Sequence, residues 1–310
     1  MSDIRELLGI KYPVIQGGMA NIATHQLAAA VSNAGGLGLI GSGGWDVDRV
    51  REEIRALKKL TDKPFGVNIM LMNPHAKDIS DMVIEEGVPV VTTGAGNPGE
   101  YIEKWKKANM KVIPVVPSVA LGIRMQRAGA DAVIVEGTEA GGHVGELTTF
   151  TLVPQVSDAL SIPVIAAGGI ADHRGFDAAC VLGAKGVQIG TVLLASEECP
   201  IHINYKNKVV SAKDTDTVVT GRNTGAPVRV LKNRMAKTYL KMSKDPNIKL
   251  EEMEKLTLGS LSKAVFDGDV HYGSLMAGQS AGLVKKIRPV KEILESICEP
   301  SLLFTGKITI

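Results

Sequence analysis

The sequence is poor in cysteine and carries almost no net charge. Its 310 residues include three cysteines, Cys180, Cys199 and Cys298, whose wide separation matches no metal-ligand spacing. An odd, sparse set of thiols is typical of a reduced cytosolic protein, so we expect buried free cysteines, no metal site and a cytoplasmic location. Lys plus Arg (35) nearly balance Asp plus Glu (33), which excludes a global electrostatic attraction to nucleic acid or to a membrane surface.

Long hydrophobic runs and aromatic residues are also scarce. No apolar stretch reaches the roughly 18 residues that cross a bilayer, and the start MSDIRELLGIKYPV has no apolar core of a signal peptide. Aromatic residues make up 4% of a chain that is 45% hydrophobic, so the core must consist mainly of Val, Ile, Leu and Ala. A chain of this length can bury one large core and carry a smaller satellite domain.

What the sequence does contain is a repeated pattern of short apolar runs rich in Val and Ile. Glycine or polar residues and then a helical pattern follow these runs. We predict parallel strands at residues 12–18, 36–41, 65–70, 88–94, 111–116, 131–137, 162–169 and 186–191. Eight such repeats in about 200 residues favour an α/β fold, a (β/α)8 TIM barrel, although an open doubly wound sheet would show the same alternation.

The regular alternation stops near residue 200. Charges then become dense, and the segments VRVLKNRMAKTYLKMSK and IKLEEMEKLTLGSLSKAV favour helices. The tail returns to a glycine-rich turn and an amphipathic helix, as though the chain rejoins the barrel. We therefore predict a barrel formed by residues 1–200 and 269–310, with a small, mostly helical domain inserted at residues 201–268.

The ends of the last two predicted strands indicate a phosphate site. In a barrel, residues at the carboxyl ends of different strands meet at one mouth, and the ends of strands seven and eight commonly bind phosphate through backbone N–H groups and a helix N-terminus. Here these ends read AAGGI (166–170) and QIGT (188–191). Glycine lets the backbone approach an anion, and the Thr191 hydroxyl adds a donor. The alternative is that the glycines only form tight turns.

The first and third strands indicate what else such a ligand contacts. QGGMA, after strand one, offers small residues and a flexible Met on which a planar isoalloxazine ring can lie. Asn68, inside the apolar run FGVNIM, needs a partner for its buried amide. A flavin edge would supply that partner, and a hydrogen bond to a neighbouring strand is the alternative.

The segment EGTEAGGHVGELTT, after strand six, carries a candidate proton-transfer group. Glu136 ends the strand, and His143 follows on a glycine-rich loop. An imidazole titrates near neutral pH and can donate or accept a proton in catalysis. The other histidines lack this setting, so we predict that His143 is catalytic.

Taken together, these motifs resemble a family of flavin enzymes. QGGMA, AAAVSNAGGLGLIG, FGVNIML, VVTTGAGNP, EAGGHVG, PVIAAGGIAD, VQIGT and GSLMAGQSAG are similar to those of nitronate monooxygenases (2-nitropropane dioxygenases) and of the enoyl-acyl carrier protein reductase II enzymes of bacterial fatty-acid synthesis. The likeness extends from about Ile4 to Ile297. VVTTGAGNP, VIPVVPSVALGIRM and GADAVIVEGTEAGGH are closer to the reductase branch.

The resemblance implies a (β/α)8 barrel with a small extra domain, non-covalent FMN, a homodimer and His143 as the catalytic histidine. It implies FMN contacts at Gly17, Gly18, Met19, Asn68, Glu136, Ala167, Gly168, Gly169, Gly190, Thr191, Met276, Gly278 and Gln279. The tail ends soon after the final helix, which is a departure from the family pattern. It puts the dimer surface and the substrate channel in doubt.

The reductase branch implies that NADH or NADPH reduces FMN and that a trans-2-enoyl-acyl carrier protein is the substrate. An acyl carrier protein is acidic, and we expect it to dock on the basic residues Arg229, Lys232, Arg234, Lys237 and Lys241. The alternative is that this basic run is only a solvated helix face.

Three other functions fit parts of the pattern. A nitronate monooxygenase would use the same pocket with O₂ as oxidant, and no residue separates it from the reductase. A flavin-binding protein without turnover is a further alternative. The phosphate motif also resembles inosine monophosphate dehydrogenase, but that enzyme needs a cysteine after strand six, where this chain has His143.

Overall fold

The computed structural model of the protein describes residues 3–306. Within this range the strands are β1 (Val14–Gln16), β2 (Gly38–Gly41), β3 (Phe65–Met70), β4 (Val90–Gly94), β5 (Lys111–Val116), β6 (Val133–Glu136), β7 (Gly142–His143), β8 (Val164–Ala167), β9 (Gly186–Ile189), β10 (Thr217–Thr220) and β11 (Val228–Leu231). Eight of them form one parallel sheet in the order β1-β9-β8-β6-β5-β4-β3-β2. All eight lie where the sequence pattern predicts strands.

The sheet closes into a barrel between β1 and β2. The Gln16 N–H donates to Leu37 O over 2.9 Å, and the Leu37 N–H donates to Val14 O over 2.9 Å. Ile15 and Leu37 thereby form a parallel bridge between the two ends of the strand order. The predicted (β/α)8 barrel is confirmed, and the open doubly wound sheet is excluded.

Helices follow the barrel strands and cover them. In the described part of the chain they are α1 (Ile4–Leu8), α2 (His25–Asn33), α3 (Val47–Lys58), α4 (Ala76–Glu85), α5 (Gly99–Lys107), α6 (Val119–Ala128), α7 (Thr149–Ala159), α8 (His173–Val181), α9 (Ile203–Val210), α10 (Arg234–Met242), α11 (Leu250–Thr257), α12 (Ser260–Val265) and α13 (Val290–Cys298). Short 3₁₀ turns lie at Thr191–Ala195, Arg222–Thr224 and Gln279–Leu283.

Helix α3 shows how the sequence encodes this layer. Asp46 precedes the helix, and its side chain accepts the Arg49 N–H over 2.8 Å, which pairs an otherwise free donor of the first turn. Val50, Ile54 and Leu57 repeat at helical spacing and are 0% exposed. Burial of each such side chain contributes about 1.5–3 kcal/mol, so this stripe holds α3 on the barrel.

Inward-facing side chains fill the barrel interior near the amino ends of the strands. Side chains alternate along a strand, and the inward ones, such as Ile15, Leu39 and Ile134, form a buried cluster. Ile4 and Leu8 of α1 belong to the same cluster, beneath the amino ends of the strands. α1 therefore covers the amino ends of the strands and not their carboxyl ends.

The region after the barrel strands combines helices with a second sheet. Residues 201–268 contain α9, α10, α11 and α12 together with β10 and β11. β11 pairs antiparallel with β10 on one edge and with β7, from the loop after β6, on the other. The prediction of a helix over VRVL is wrong, because these residues form β11 and pair with distant segments. The division into a barrel and an inserted domain at 201–268 stays a prediction.

The tail rejoins the barrel as predicted. Helix α13 packs between α8 and α2, the last and first helices of the ring. Its buried stripe, which includes Ile293, Leu294 and Ile297, closes the helix layer at the same place where β1 closes the sheet. No helix within residues 3–306 is long and apolar enough to span a membrane.

The three cysteines are free thiols, with Cys199 and Cys298 buried and Cys180 half-buried. Burial raises the pKa of Cys199 to about 11 and that of Cys298 to about 12, so both stay protonated near neutral pH. Among the described residues, no group of His, Cys, Asp and Glu is arranged to hold a metal ion.

Candidate active site

Three neighbouring strands place Glu136, Ala167 and Gln188 at one level beneath the barrel mouth. Glu136 is in register with Ala167, and Ala167 is in register with Gln188. Ala167 belongs to the interior cluster, so the three side chains face inward. Gln188 is 7% exposed, and its Oε1 has no hydrogen-bond partner among the described residues. Burial raises the pKa of Glu136 to about 7. The barrel therefore presents a buried amide, Gln188, and a half-buried carboxyl, Glu136, to the mouth.

Asn68 faces the same space from β3. Its Nδ2 donates to Thr92 Oγ1 over 2.9 Å, on the neighbouring strand β4. The internal hydrogen bond that we weighed against a flavin partner is therefore present. Gly18 packs directly on this side chain, because a Cβ at Gly18 would lie 2.2 Å from Asn68 Cγ. A side chain at Gly18 would displace Asn68, so this position requires glycine.

The loop after β1 contacts the end of β9. The Gly17 N–H donates to Ile189 O over 2.7 Å. A Cβ at Gly190 would lie 3.5 Å from Met19 Sδ, which places the Met19 thioether beside Gly190. The structure thus brings the predicted ring-binding loop and one half of the predicted phosphate site into contact.

The turn after β8 has a backbone that favours glycine. Gly168 and Gly169 have φ angles of +96° and +79°, in the left-handed region. The following helix α8 is already capped, because the Asp172 carboxylate accepts the Arg174 N–H over 3.0 Å. The first N–H groups of α8 are therefore partly occupied, and the glycine turn and the Gly190 segment, which precedes the 3₁₀ turn at Thr191–Ala195, offer further backbone N–H groups.

The returning tail completes the rim of the mouth. The Gly278 N–H donates to Thr191 Oγ1 over 2.8 Å, and the Gln279 N–H donates to Glu139 O over 2.9 Å. Thr191 still has its hydroxyl proton to donate. Glu139 lies beside Gly169, and its carboxylate accepts the Thr149 N–H over 2.9 Å at the start of α7. The tail, the loop after β6 and the end of β9 therefore meet.

His143 lies in the loop between β6 and α7, residues 137–148, which we call the histidine loop. Its backbone pairs with Val228 of β11, and the Val144 N–H donates to Pro227 O over 3.1 Å. His143 is solvent-exposed, and partial burial of its ring lowers its pKa below the ordinary 6.5. His143 is therefore neutral at pH 7 and can accept a proton.

Met276 lies next to the histidine loop. Val230 of β11 bridges to Met276, so one edge of β11 holds both His143 and Met276. A Cβ at Gly142 would lie 3.7 Å from Met276 Sδ. The Tyr205 hydroxyl, from α9, donates to Met276 O over 2.8 Å. The residues after the barrel strands therefore help to build the mouth.

The structure corrects one of the predicted docking residues. Arg229 is 7% exposed and lies in β11, so it is not part of a surface that a protein partner can reach. Arg234, Lys237 and Lys241 are exposed along α10, at spacings that place them on one face. Lys232 is also exposed, but its Nζ donates to Thr215 O.

Sequence reasoning missed several residues of the mouth. Gln188, like Asn68, is a polar residue inside an apolar strand. This pattern in the sequence was sufficient to predict that Gln188 belongs to the mouth. Glu139 and Thr149 show no such pattern, because their contact depends on how the histidine loop folds back.

The mouth of this closed (β/α)8 barrel combines two glycine turns, inward polar groups and a histidine loop. A family model described as nitronate monooxygenase matches residues 2–300, and the chain belongs to this family. The family and its relatives are FMN-dependent oxidoreductases, and this protein is an oxidoreductase of that class.

Individual relatives fall on both branches of the resemblance. A probable nitronate monooxygenase from Staphylococcus saprophyticus is 38% identical over 327 residues, which cover 90% of this chain and 92% of the relative. The structure of FabK from Thermotoga maritima is 51% identical, covers 99% of this chain and 97% of its own, and has a TM-score of 0.94. A nitroalkane oxidase from Streptomyces ansochromogenes is 28% identical, with 99% and 100% coverage and a TM-score of 0.87.

Proposed function

We propose that this protein is an FMN-dependent enoyl-acyl carrier protein reductase that uses NADH or NADPH. The observation that carries this proposal is the likeness to FabK, an enoyl-acyl carrier protein reductase II, at 51% identity and a TM-score of 0.94. The nitroalkane oxidase structure reaches 28% identity over a similar share of the chain. The difference between the two supports the reductase branch.

The shape and chemistry of the mouth fit FMN. Gln188 Oε1 is buried without a partner and the Glu136 carboxyl faces the same space, so both are available to a polar ring. The phosphate would bind to the backbone around Gly168, Gly169, Gly190 and Thr191. The ring would be held by Gly17, Gly18, Met19, Asn68, Glu136 and Ala167, with Met276, Gly278 and Gln279 closing the rim.

The protein's part in the reaction is to orient the substrate and to supply a proton. When bound, FMN supplies hydride transfer, from NADH or NADPH to the β-carbon of a trans-2-enoyl thioester. The α-carbon must then gain a proton. His143 is neutral at pH 7, so it acts by holding and polarising a water molecule or by relaying its proton to this carbon.

Glu136 is a second proton-bearing group of the mouth. With a pKa of about 7, it is partly protonated at neutral pH, unlike an ordinary glutamate. In its protonated form it donates a hydrogen bond, and in its ionised form it only accepts. Its inward position, in register with Ala167, supports a role in binding the ring.

The second candidate is a nitronate monooxygenase. It is favoured by the family model over residues 2–300 and by the 38% identity to the staphylococcal relative. A neutral His143 at the mouth also suits it, since a neutral imidazole can accept a proton from a small nitroalkane or orient its nitronate.

One titration separates these functions. The purified protein is reduced with NADH under anaerobic conditions, and crotonyl thioester or a nitronate is then added while the flavin absorbance is followed. Reoxidation by the thioester alone supports the reductase. Oxygen uptake with a nitronate in a parallel aerobic assay, together with no reduction by NADH in the anaerobic one, overturns it in favour of the monooxygenase. A flavin spectrum without turnover on either substrate would indicate a flavin-binding protein.

The exposed face of α10 supports an acidic acyl carrier protein as the thioester's carrier. Arg234, Lys237 and Lys241 lie on this face without an acid in the helix. Complementary charge raises the association rate of such partners and sets their orientation. A homodimer is also part of the proposal, as the family resemblance implies.

A further inference from the structure

Arg229 contacts the histidine loop from below, inside the protein. Its Nε donates to Thr138 O over 2.9 Å, at the start of the loop. Its Nη1 donates to Thr217 Oγ1 over 3.2 Å, on β10. Its own backbone is in register with Gly142, the residue before His143. The Arg229 side chain, which is part of β11, thus links the start of the histidine loop to β10.

The histidine loop stabilises the buried charge of Arg229. Burial lowers the pKa of Arg229, as does the nearby Arg222, while Glu139 of the histidine loop raises it. A buried cation is stable only when its hydrogen bonds are made and a counter-charge is near. Thr138 O and Glu139 supply these, and both belong to the histidine loop. Opening of the loop would leave the guanidinium uncompensated, so the closed loop is favoured.

The position of His143 follows from that of its backbone. Burial alone lowers the pKa of His143, without a contribution from a charged or hydrogen-bonding neighbour among the described residues. A ring without a polar anchor is held by its chain segment. The segment is short, and the Thr138 N–H closes it by donating to Leu147 O over 2.8 Å.

We propose that Arg229 is a positioning residue, which holds the histidine loop so that the His143 imidazole stays at the barrel mouth beside Met276. This inference rests on the proposed role of His143. Removal of the guanidinium would let the loop move away from β11 by a small distance. Displacement of a reacting group by about 1 Å can lower the rate about 100-fold while the substrate still binds.

The chain offers a matched control in Arg222. Its side chain pairs with Glu146, which belongs to the same histidine loop. This pair is on the surface, where Arg222 is 47% and Glu146 is 76% exposed. Exposed ion pairs contribute little, so Arg222→Met removes a loop contact without freeing the loop.

The experiment compares Arg229→Met, Arg229→Lys, Arg222→Met and His143→Ala as flavin-loaded proteins. In Arg229→Met, kcat should fall about 10- to 100-fold while KM changes less than about twofold. The apparent pKa of the acid limb of the kcat–pH profile, which we assign to His143, should rise towards the ordinary value of an imidazole, because a loosened loop exposes the ring. Arg229→Lys, which keeps the charge but not both hydrogen bonds, should lie between Arg229→Met and wild type. Arg222→Met should match the wild type.

Hydrogen exchange supplies a readout that does not depend on turnover. Peptides covering residues 137–148 should exchange faster in both Arg229 variants than in Arg222→Met. The inference is overturned if Arg229→Lys or Arg229→Met shows the same kcat, pH profile and hydrogen exchange as the wild type. If Arg229→Met does not fold, the same measurements on Arg229→Lys test the positioning role of Arg229. Full activity in His143→Ala instead overturns the proposed role of His143, whatever the Arg229 variants do.

Discussion

The backbone N–H of Gly278 donates to Thr191 Oγ1 over 2.8 Å, and this bond joins the end of the last barrel strand to the returning tail. The two residues are 87 positions apart in the chain. The same hydroxyl keeps its proton for a ligand at the mouth. Thr191 is therefore placed to couple the binding of a phosphate to the position of the tail.

Thr191→Val should weaken FMN binding. The valine methyl cannot accept the Gly278 N–H or donate to a phosphate, and an unpaired buried donor costs about 1–3 kcal/mol. We expect the FMN dissociation constant to rise about tenfold or more, as measured by quenching of flavin fluorescence. Thr191→Ser, which keeps the hydroxyl, should bind like the wild type. Equal affinity in the Val and Ser variants would contradict the assignment.

Gly190→Ala tests the phosphate site without disturbing the fold. Gly190 has a φ of −130°, and an added Cβ would meet Met19 Sδ at 3.5 Å, an ordinary contact. We expect unfolding by heat to change little and FMN affinity to fall, because a methyl group would block the approach of an anion. Gly168→Ala is the contrasting variant.

Gly168 has a φ of +96°, and its Cβ would meet Thr149 Oγ1 at 2.9 Å. Gly168→Ala should therefore destabilise the protein by about 1–3 kcal/mol as well as weaken FMN binding. If Gly190→Ala binds FMN normally, the backbone at that position does not contact the phosphate.

His143→Ala should lower kcat about 100-fold while the protein retains its flavin. The pKa of His143 is lowered from 6.5 by burial, so in the wild type the neutral imidazole persists below pH 6.5. In the wild type we expect kcat to fall only when the pH drops through this lowered pKa. This acid limb of the pH profile should be missing in His143→Ala. An unchanged acid limb in the variant would assign it to another group.

Glu136→Gln should stabilise the flavin-free protein at high pH. Burial raises the pKa of Glu136 to about 7, above its ordinary 4.5, so the folded state holds a proton that the unfolded chain releases. Stability from this group is therefore full below about pH 4.5 and is lost as the pH rises through 7. The melting temperature of Glu136→Gln should exceed that of the wild type at pH 8 and match it at pH 5. The same difference at both pH values would contradict the pKa of about 7.

The double variant Lys237→Glu and Lys241→Glu should raise the KM for an enoyl thioester on acyl carrier protein. Each exposed pair contributes up to about 1 kcal/mol, so we expect an increase of about fivefold or more. The KM for a free crotonyl thioester should not change, because α10 does not line the barrel mouth. Equal KM values for the carrier-bound substrate in variant and wild type would exclude this face as the docking surface.

The barrel could be predicted from the sequence because each of its strands and helices has a local sequence pattern. Each strand is a short run of Val and Ile that is buried on both faces, and each helix carries its own apolar stripe, as in α3. Asn68 and the glycines of AAGGI and QIGT were also found locally, since a polar residue or paired glycines inside such a run are out of place.

The second sheet could not be predicted from the sequence, because its strands depend on distant pairing partners. VRVL alternates apolar and polar residues over only its first three positions, and it becomes β11 because it pairs with residues 142–143 and 217–220. The same pairing buries Arg229, which a charge count assigned to the surface. A four-residue strand between charged neighbours has too little periodicity to be distinguished from a helix end.

The sequence by itself determined the (β/α)8 architecture and the glycine turns, and it supplied the candidate site residues, whose roles stay predictions. Only the tertiary structure decided that β11 holds His143 and Met276 on one edge, that Arg229 lies beneath the histidine loop, and that the tail bonds to Thr191. These contacts join residues that are 46 to 91 positions apart in the chain. Their geometry depends on the closed barrel, and no local pattern of side chains encodes it.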